Sequence, residues 1–195
     1  MTQDAITLTA DNLKALAHPL RVRVLGLLRT YGPATATTLA VQLDLTSGAL
    51  SYHLRQLERF GFIVEDTERG NQRDRWWKAA HQRTIYPGLP SDAPGEASVE
   101  GDVYEDSVAA AAVAGIARMR AGRRDLPPEW QRTINVSDYL LQLTPEQAHQ
   151  LSEDLARLLD SYPQHDPNAP VAEGARPVHT QFQILPVTDP PAVEE

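Results

Sequence analysis

The side chains best suited to chemistry with an outside partner are concentrated in the stretch Leu45–Phe60, LTSGALSYHLRQLERF. Ser47, Ser51 and Tyr52 carry hydroxyls, Arg55 carries a guanidinium fork, and Gly48 and Ala49 between them are small. None of these has the neighbouring base that nucleophilic catalysis needs. The set suits hydrogen bonding to the walls of a groove, with Arg55 able to donate two bonds in parallel. A rigid element must hold it outward. Leu50, Leu54 and Leu57 recur at spacings of four and three, so they share one buried helical stripe, with the polar set on the other side. Thr46 is placed to cap the first free N–H groups of that helix, and Gly61 stands where a left-handed residue ends one.

The preceding residues read as its support. Asp11–Ala17 is a short helix, and Pro19 opens a second one, Leu20–Arg29, with Leu20, Val24, Leu27 and Leu28 inward. Tyr31-Gly32-Pro33 is a turn, and Thr35–Leu43 a third helix with Leu39, Ala40 and Leu43 inward. A tight connection, Asp44-Leu45-Thr46, joins it to the polar helix, which makes a helix-turn-helix. After Gly61 the period changes. Phe62-Ile63-Val64 and Arg73–Lys78 read as two strands around the polar tip Arg69-Gly70-Asn71-Gln72. This hairpin is a wing, with at least one of Trp76 and Trp77 packed inward and Arg69, Arg73 and Arg75 available for phosphate.

Three linked motifs carry a family resemblance: Leu16-Ala17-His18-Pro19-Leu20-Arg21, Ser51-Tyr52-His53-Leu54, and Gly61-Phe62-Ile63. Over about residues 11–80 the chain resembles the ArsR-type winged helix-turn-helix of transcription regulators. The resemblance implies that residues 46–60 form a recognition helix in the major groove and 62–78 a wing on the DNA backbone. It places Ser47, Gly48, Ala49, Ser51, Tyr52 and Arg55 at the DNA and favours a repressor; with Thr46 at the start of the helix and Arg69, Asn71, Arg73 and Arg75 of the wing these make the expected DNA-binding set. On physical grounds Arg55 is the base-reading candidate and the wing arginines are backbone contacts. Metal-sensing members use cysteines, or ligands on the terminal helix. Here cysteine is absent and Val99–Arg120 holds no histidine, so neither metal nor cofactor is expected.

Composition narrows the class further. Hydrophobic residues make up 42% and charged residues 23% of the 195, which is ordinary for a globular protein able to bury one core and a smaller module. No run of about eighteen apolar residues predicts a membrane span. The N-terminus lacks a signal-peptide pattern and disulfides are ruled out, so a cytoplasmic location is expected. The net charge of −8 hides an asymmetry: residues 1–86 carry eleven Lys and Arg against eight Asp and Glu, and the remainder seven against eighteen. Sections at +3 and −11 suggest different partners. His18 and His53 read as packed residues. His81, His149, His165 and His179 lack metal-ligand spacing, and there is no catalytic triad or phosphate loop, so an enzyme is not expected.

The expected architecture is α+β and mainly helical. A winged helix-turn-helix spans 1–86, a Pro- and Gly-rich linker 87–98, and a long helix rich in small residues 99–124. The helix is expected to pack on its symmetry mate in a homodimer; docking on its own winged helix is the alternative. A strand–helix–strand module follows at 128–188, with strands at Gln131–Leu143 and Val178–Val187 around an amphipathic helix at Gln147–Tyr162. Residues 189–195 are read as a disordered tail. The module either completes the dimer or forms a small-molecule effector pocket lined by Trp130, Tyr139, Tyr162 and Phe182. The function expected is a sequence-specific DNA-binding regulator on a palindromic operator; the alternative is a winged-helix protein-interaction module.

Overall fold

A computed structural model describes residues 5–69, 74–86 and 96–187, with side chains from 101 onward in the last of these stretches. They fall into two compact units, one within Met1–Leu126 and Asp166–Ala175, the other within Pro127–His165 and Arg176–Glu195.

The first unit opens with strand β1 (Ala5–Thr7) and helix α1 (Ala10–Leu16), capped by a reciprocal box in which Thr9 and Asn12 bond each other's backbone N–H. Helix α2 (Pro19–Tyr31) has proline at its first position, and His18 Nδ1 accepts the Leu20 N–H at 3.1 Å as its cap. A two-residue strand β2 (Ala34–Thr35) leads into helix α3 (Ala36–Leu43), capped by the Thr35 hydroxyl on Thr38 N–H at 3.1 Å. Asp44 turns the chain in the left-handed region at φ 56°. Helix α4 (Ser47–Arg59) then begins with Thr46 accepting the Ala49 N–H at 3.3 Å. Gly61, at φ 77°, ends it by the left-handed exit expected of it.

The wing is built from β3 (Ile63–Glu65) and β4 (Trp76–Ala79), antiparallel, with Ile63 opposite Ala79 and Glu65 opposite Trp77. β2 joins the other edge of β4, so the sheet runs β2-β4-β3. The second wing strand is shorter than the expected Arg73–Lys78 and starts at Trp76; Gly70, Asn71, Gln72 and Arg73 lie outside the described residues. A further strand, β5 (Arg83–Ile85), pairs in parallel with β1. The core of this unit is the leucine stripe of α4 (Leu50, Leu54, Leu57) closed against Leu13, Leu16, Val24, Leu28, Leu39, Phe62, Ile63 and Trp77.

Helix α5 runs Glu96–Gly122. The expected linker 87–98 is therefore shortened from its far end, and 87–95 lie outside the described residues. The first half of α5 docks on its own domain. Tyr104 and Ser107 are buried, the Tyr104 and Tyr86 rings meet edge to face at 5.2 Å, and a Cβ at Gly101 would stand 2.8 Å from the Tyr86 hydroxyl. Along the second half, Val113 and Ile116 are exposed.

In the second unit, a short helix α6 (Pro128–Gln131) is followed by α7 (Pro145–Asp160), which starts at a reciprocal box of Thr144 and Gln147. The strands expected at Gln131–Leu143 and Val178–Val187 do not form: among the described residues neither stretch joins a ladder. Alternation is compatible with a strand but supplies no partner, and an unpaired strand is not stable in water. Val136, Leu140, Val178 and Leu185 are all exposed, and Ile134 and Ile184 are only half-buried, so neither segment has a fully buried face. The residues expected as a disordered tail, 189–195, lie outside the described ones. Among the described residues no helix is long and apolar enough to cross a membrane.

Candidate nucleic-acid interface

The apolar stripe of α4 fixes which of its residues face out. With Leu50, Leu54 and Leu57 no more than 1% exposed, Ser47, Gly48, Ala49, Tyr52 and Arg55 stand on the open side and Ser51 at its edge. Open space surrounds Gly48: a Cβ built there meets nothing within 4 Å. The Thr46 hydroxyl is committed to capping as an acceptor and keeps its own proton to donate.

Hydrogen bonds within the helix orient the polar set. Ser51 Oγ donates to the Ser47 carbonyl at 2.8 Å, so its hydroxyl presents lone pairs outward and acts as an acceptor. Arg55 Nε donates to the Ser51 carbonyl at 3.2 Å. That bond anchors the guanidinium on its own helix and leaves the two terminal Nη groups for an outside partner. Tyr52 is 57% exposed, and its ring meets His53 edge to face at 5.4 Å. Arg55 and Ser51 also line one side of a shallow groove of about 280 Å³, with Thr35 and Thr37 at the start of α3 and Asp74 and Arg75 at the wing.

Behind this face lies a basic cluster whose histidines were expected only to pack. His18 and His53 stack with ring centroids 4.6 Å apart. His53 Nδ1 and Arg21 Nε are buried without a hydrogen-bond partner among the described residues. Burial first, then the charge of Arg21, lowers the pKa of His18, and burial followed by His18 and Arg21 lowers that of His53. Both shifts favour the neutral imidazole, the form in which His18 Nδ1 accepts the Leu20 N–H. Among the described residues no three His, Cys, Asp or Glu side chains gather as a metal site.

The wing departs from expectation. Arg69 and Arg75, read as available for phosphate, are both engaged inside the protein. Arg69 Nε lies 3.5 Å from the carboxylate of Asp66, and its Nη2 donates to Asn168 Oδ1 at 3.1 Å. Asp66 is buried at 4% exposure and takes a second cation, Lys78, at 3.1 Å. Arg75 bonds Glu65 and Glu58 and lies over the Trp77 ring. The Glu65 carboxylate, chiefly by hydrogen bonding, raises the Arg75 pKa above its ordinary value. Asn71 and Arg73 lie outside the described residues. Sequence reasoning missed Glu58, Glu65, Asp66 and Asn168 because it counted cations on the wing without asking which acids the fold sets beside them. For Asn168, 99 residues from Arg69, the sequence holds no signal.

In the second unit Tyr139, Tyr162 and Phe182 are exposed and Trp130 is half-buried. A three-helix core, a helix-turn-helix with an outward polar face, and an antiparallel wing define a winged helix-turn-helix. Residues 16–66 match the helix-turn-helix domain family, of ArsR type; the rest of the chain has no assigned family. Such domains bind DNA and are typical of regulators without enzymatic activity. No curated protein matches the chain.

Proposed function

We propose that this protein is a sequence-specific DNA-binding transcriptional repressor acting as a cytoplasmic homodimer. The observation that supports it most is the outer face of α4. A fully buried leucine stripe holds Ser47, Ser51, Tyr52 and the outward Nη groups of Arg55 on one exposed surface. A helix of this width fits the major groove, where an arginine fork reads guanine O6 and N7. Thr46, Gly48 and Ala49 let the start of the helix approach the base edges. The start of α3 and the wing residues Arg69, Asn71 and Arg73 then serve the sugar–phosphate backbone, which sets register rather than sequence. Arg69 must exchange Asn168 for a phosphate to do so. Two copies related by a two-fold axis read a palindrome with half-sites about one or two helical turns apart.

The second reading, a winged helix that docks another protein, draws on the same wing: pairing with Asp66, Glu58 and Glu65 leaves it less positive than its arginine count suggests. One experiment separates the two. An operator is selected from a random duplex pool by the full-length chain, and binding is followed by fluorescence anisotropy over a salt series. The regulator reading expects an affinity that falls steeply with salt and a palindromic consensus. A selection with no enrichment and no salt-sensitive binding rejects it in favour of a protein partner.

A further inference from the structure

One side chain spans the junction between the recognition helix and the wing. Arg75 immediately precedes β4. Its Nε donates to Glu65 Oε2 at 2.9 Å, and its Nη2 donates to the same oxygen at 2.6 Å. The same Nη2 donates to Glu58 Oε1, on the last turn of α4, at 3.2 Å. Its guanidinium carbon stands 4.4 Å from the centre of the Trp77 ring, which is itself 4% exposed and fixed in the core. One planar cation thus joins α4, β3 and β4.

The local charge balance sets this residue apart from its neighbours. One guanidinium against two carboxylates leaves a cluster of net charge −1, which repels a phosphate rather than attracting one. A phosphate would also have to displace charge-assisted hydrogen bonds already made. Arg55 differs in both respects, since among the described residues its one hydrogen bond is to a backbone carbonyl.

We propose that Arg75 is a positioning residue of the DNA-reading surface: through Glu58, Glu65 and Trp77 it sets the angle of the recognition helix to the wing, and it makes no phosphate contact. This inference rests on the DNA-binding proposal above. The chemistry asks for arginine. A lysine ammonium keeps the charge but loses the planar face over Trp77 and the fork that reaches both carboxylates.

The test uses the full-length chain as wild type, Arg75→Ala and Arg75→Lys, with the selected operator and a salt series. Both variants are expected to bind about threefold more weakly at fixed salt, the size of a surface ion pair, while keeping the wild-type slope of log K against log salt. A slope reduced by about one in Arg75→Ala, restored in Arg75→Lys, overturns the proposal, because that is how a phosphate contact behaves. A second readout needs no DNA. The NMR signal of the Arg75 Nε–H is expected to shift and exchange faster with water in Glu65→Gln. An unchanged signal shows that the clamp does not exist in solution. Wild type that fails to bind any duplex defeats the regulator reading, and the NMR result still decides the clamp.

Discussion

Under the proposed function, Arg55 is the residue on which the reading of DNA sequence depends most. Its Nε is tied to the Ser51 carbonyl, so the Nη pair is held outward with few conformations to lose on binding. Arg55→Ala should therefore cost about 1–3 kcal/mol on the selected operator and much less on mixed-sequence duplex, as measured by anisotropy. Equal losses on both duplexes would make Arg55 a backbone contact. The His18–His53 pair governs a different quantity. Both groups are held below the ordinary histidine value of 6.5, chiefly by burial, so the unfolded chain takes up protons first as the pH falls. Their contribution to stability is full above about pH 6.5 and is lost as the pH drops through the folded-state values. Thermal denaturation should show the midpoint falling between about pH 7.5 and about pH 5.5, and less so in His53→Gln. A drop of the same size in that variant would place the titration elsewhere.

At the scale of the element, α4 was almost fully legible. The spacing of its leucines, the Thr46 cap and the Gly61 exit are local signals, and each is where the sequence put it. The glycines at its two ends make a clean contrast, since a Cβ added at either would meet no atom within 4 Å. Gly61 sits at φ 77°, so Gly61→Ala meets only backbone strain and should cost about 1–2 kcal/mol in urea unfolding. Gly48 has ordinary helical backbone, so Gly48→Ala should raise stability by about 0.5–1 kcal/mol. Loss of stability in both would mean that Gly48 is needed for something other than conformation. The wing was legible as a hairpin but not as an electrostatic object. That Arg75 meets Glu58 and Glu65 depends on how α4 crosses β3, which no window of sequence contains. The parallel pair β1–β5 was missed for the same reason: two three-residue strands joined in register as Ala5 with Arg83 carry no local pattern.

For the whole molecule, the sharpest question is what covers the second half of α5. Its first half is taken by the chain's own α1 and α2, through Tyr104 and Ser107, while Val113 and Ile116 remain exposed at 68% and 50%. If two copies pair through this half, sedimentation equilibrium should give twice the 21.5 kDa chain mass. Ile116→Glu should shift the species toward monomer, because a carboxylate buried in an apolar interface is costly. A wild-type chain that is monomeric at micromolar concentration removes the dimer and with it the palindromic operator. The charge asymmetry belongs at this scale too. The +3 section contains the helix-turn-helix and the wing, and the −11 section begins beyond them.

By itself the sequence determined the helices of the first unit, the Thr46 cap, the turn between α3 and α4, and the outward face of α4. These follow from the period of the apolar residues and from side-chain-to-backbone bonds spanning three or four positions. Tertiary structure alone decided which charges remain available, that the first half of α5 docks on its own domain, and that the alternating stretches of the second unit join no ladder among the described residues. The Arg75 pairings with Glu65 and Glu58, the Lys78–Asp66 pair and the Arg69–Asn168 bond join groups 10 to 99 residues apart, and spacing along a chain does not encode what packing will set beside it.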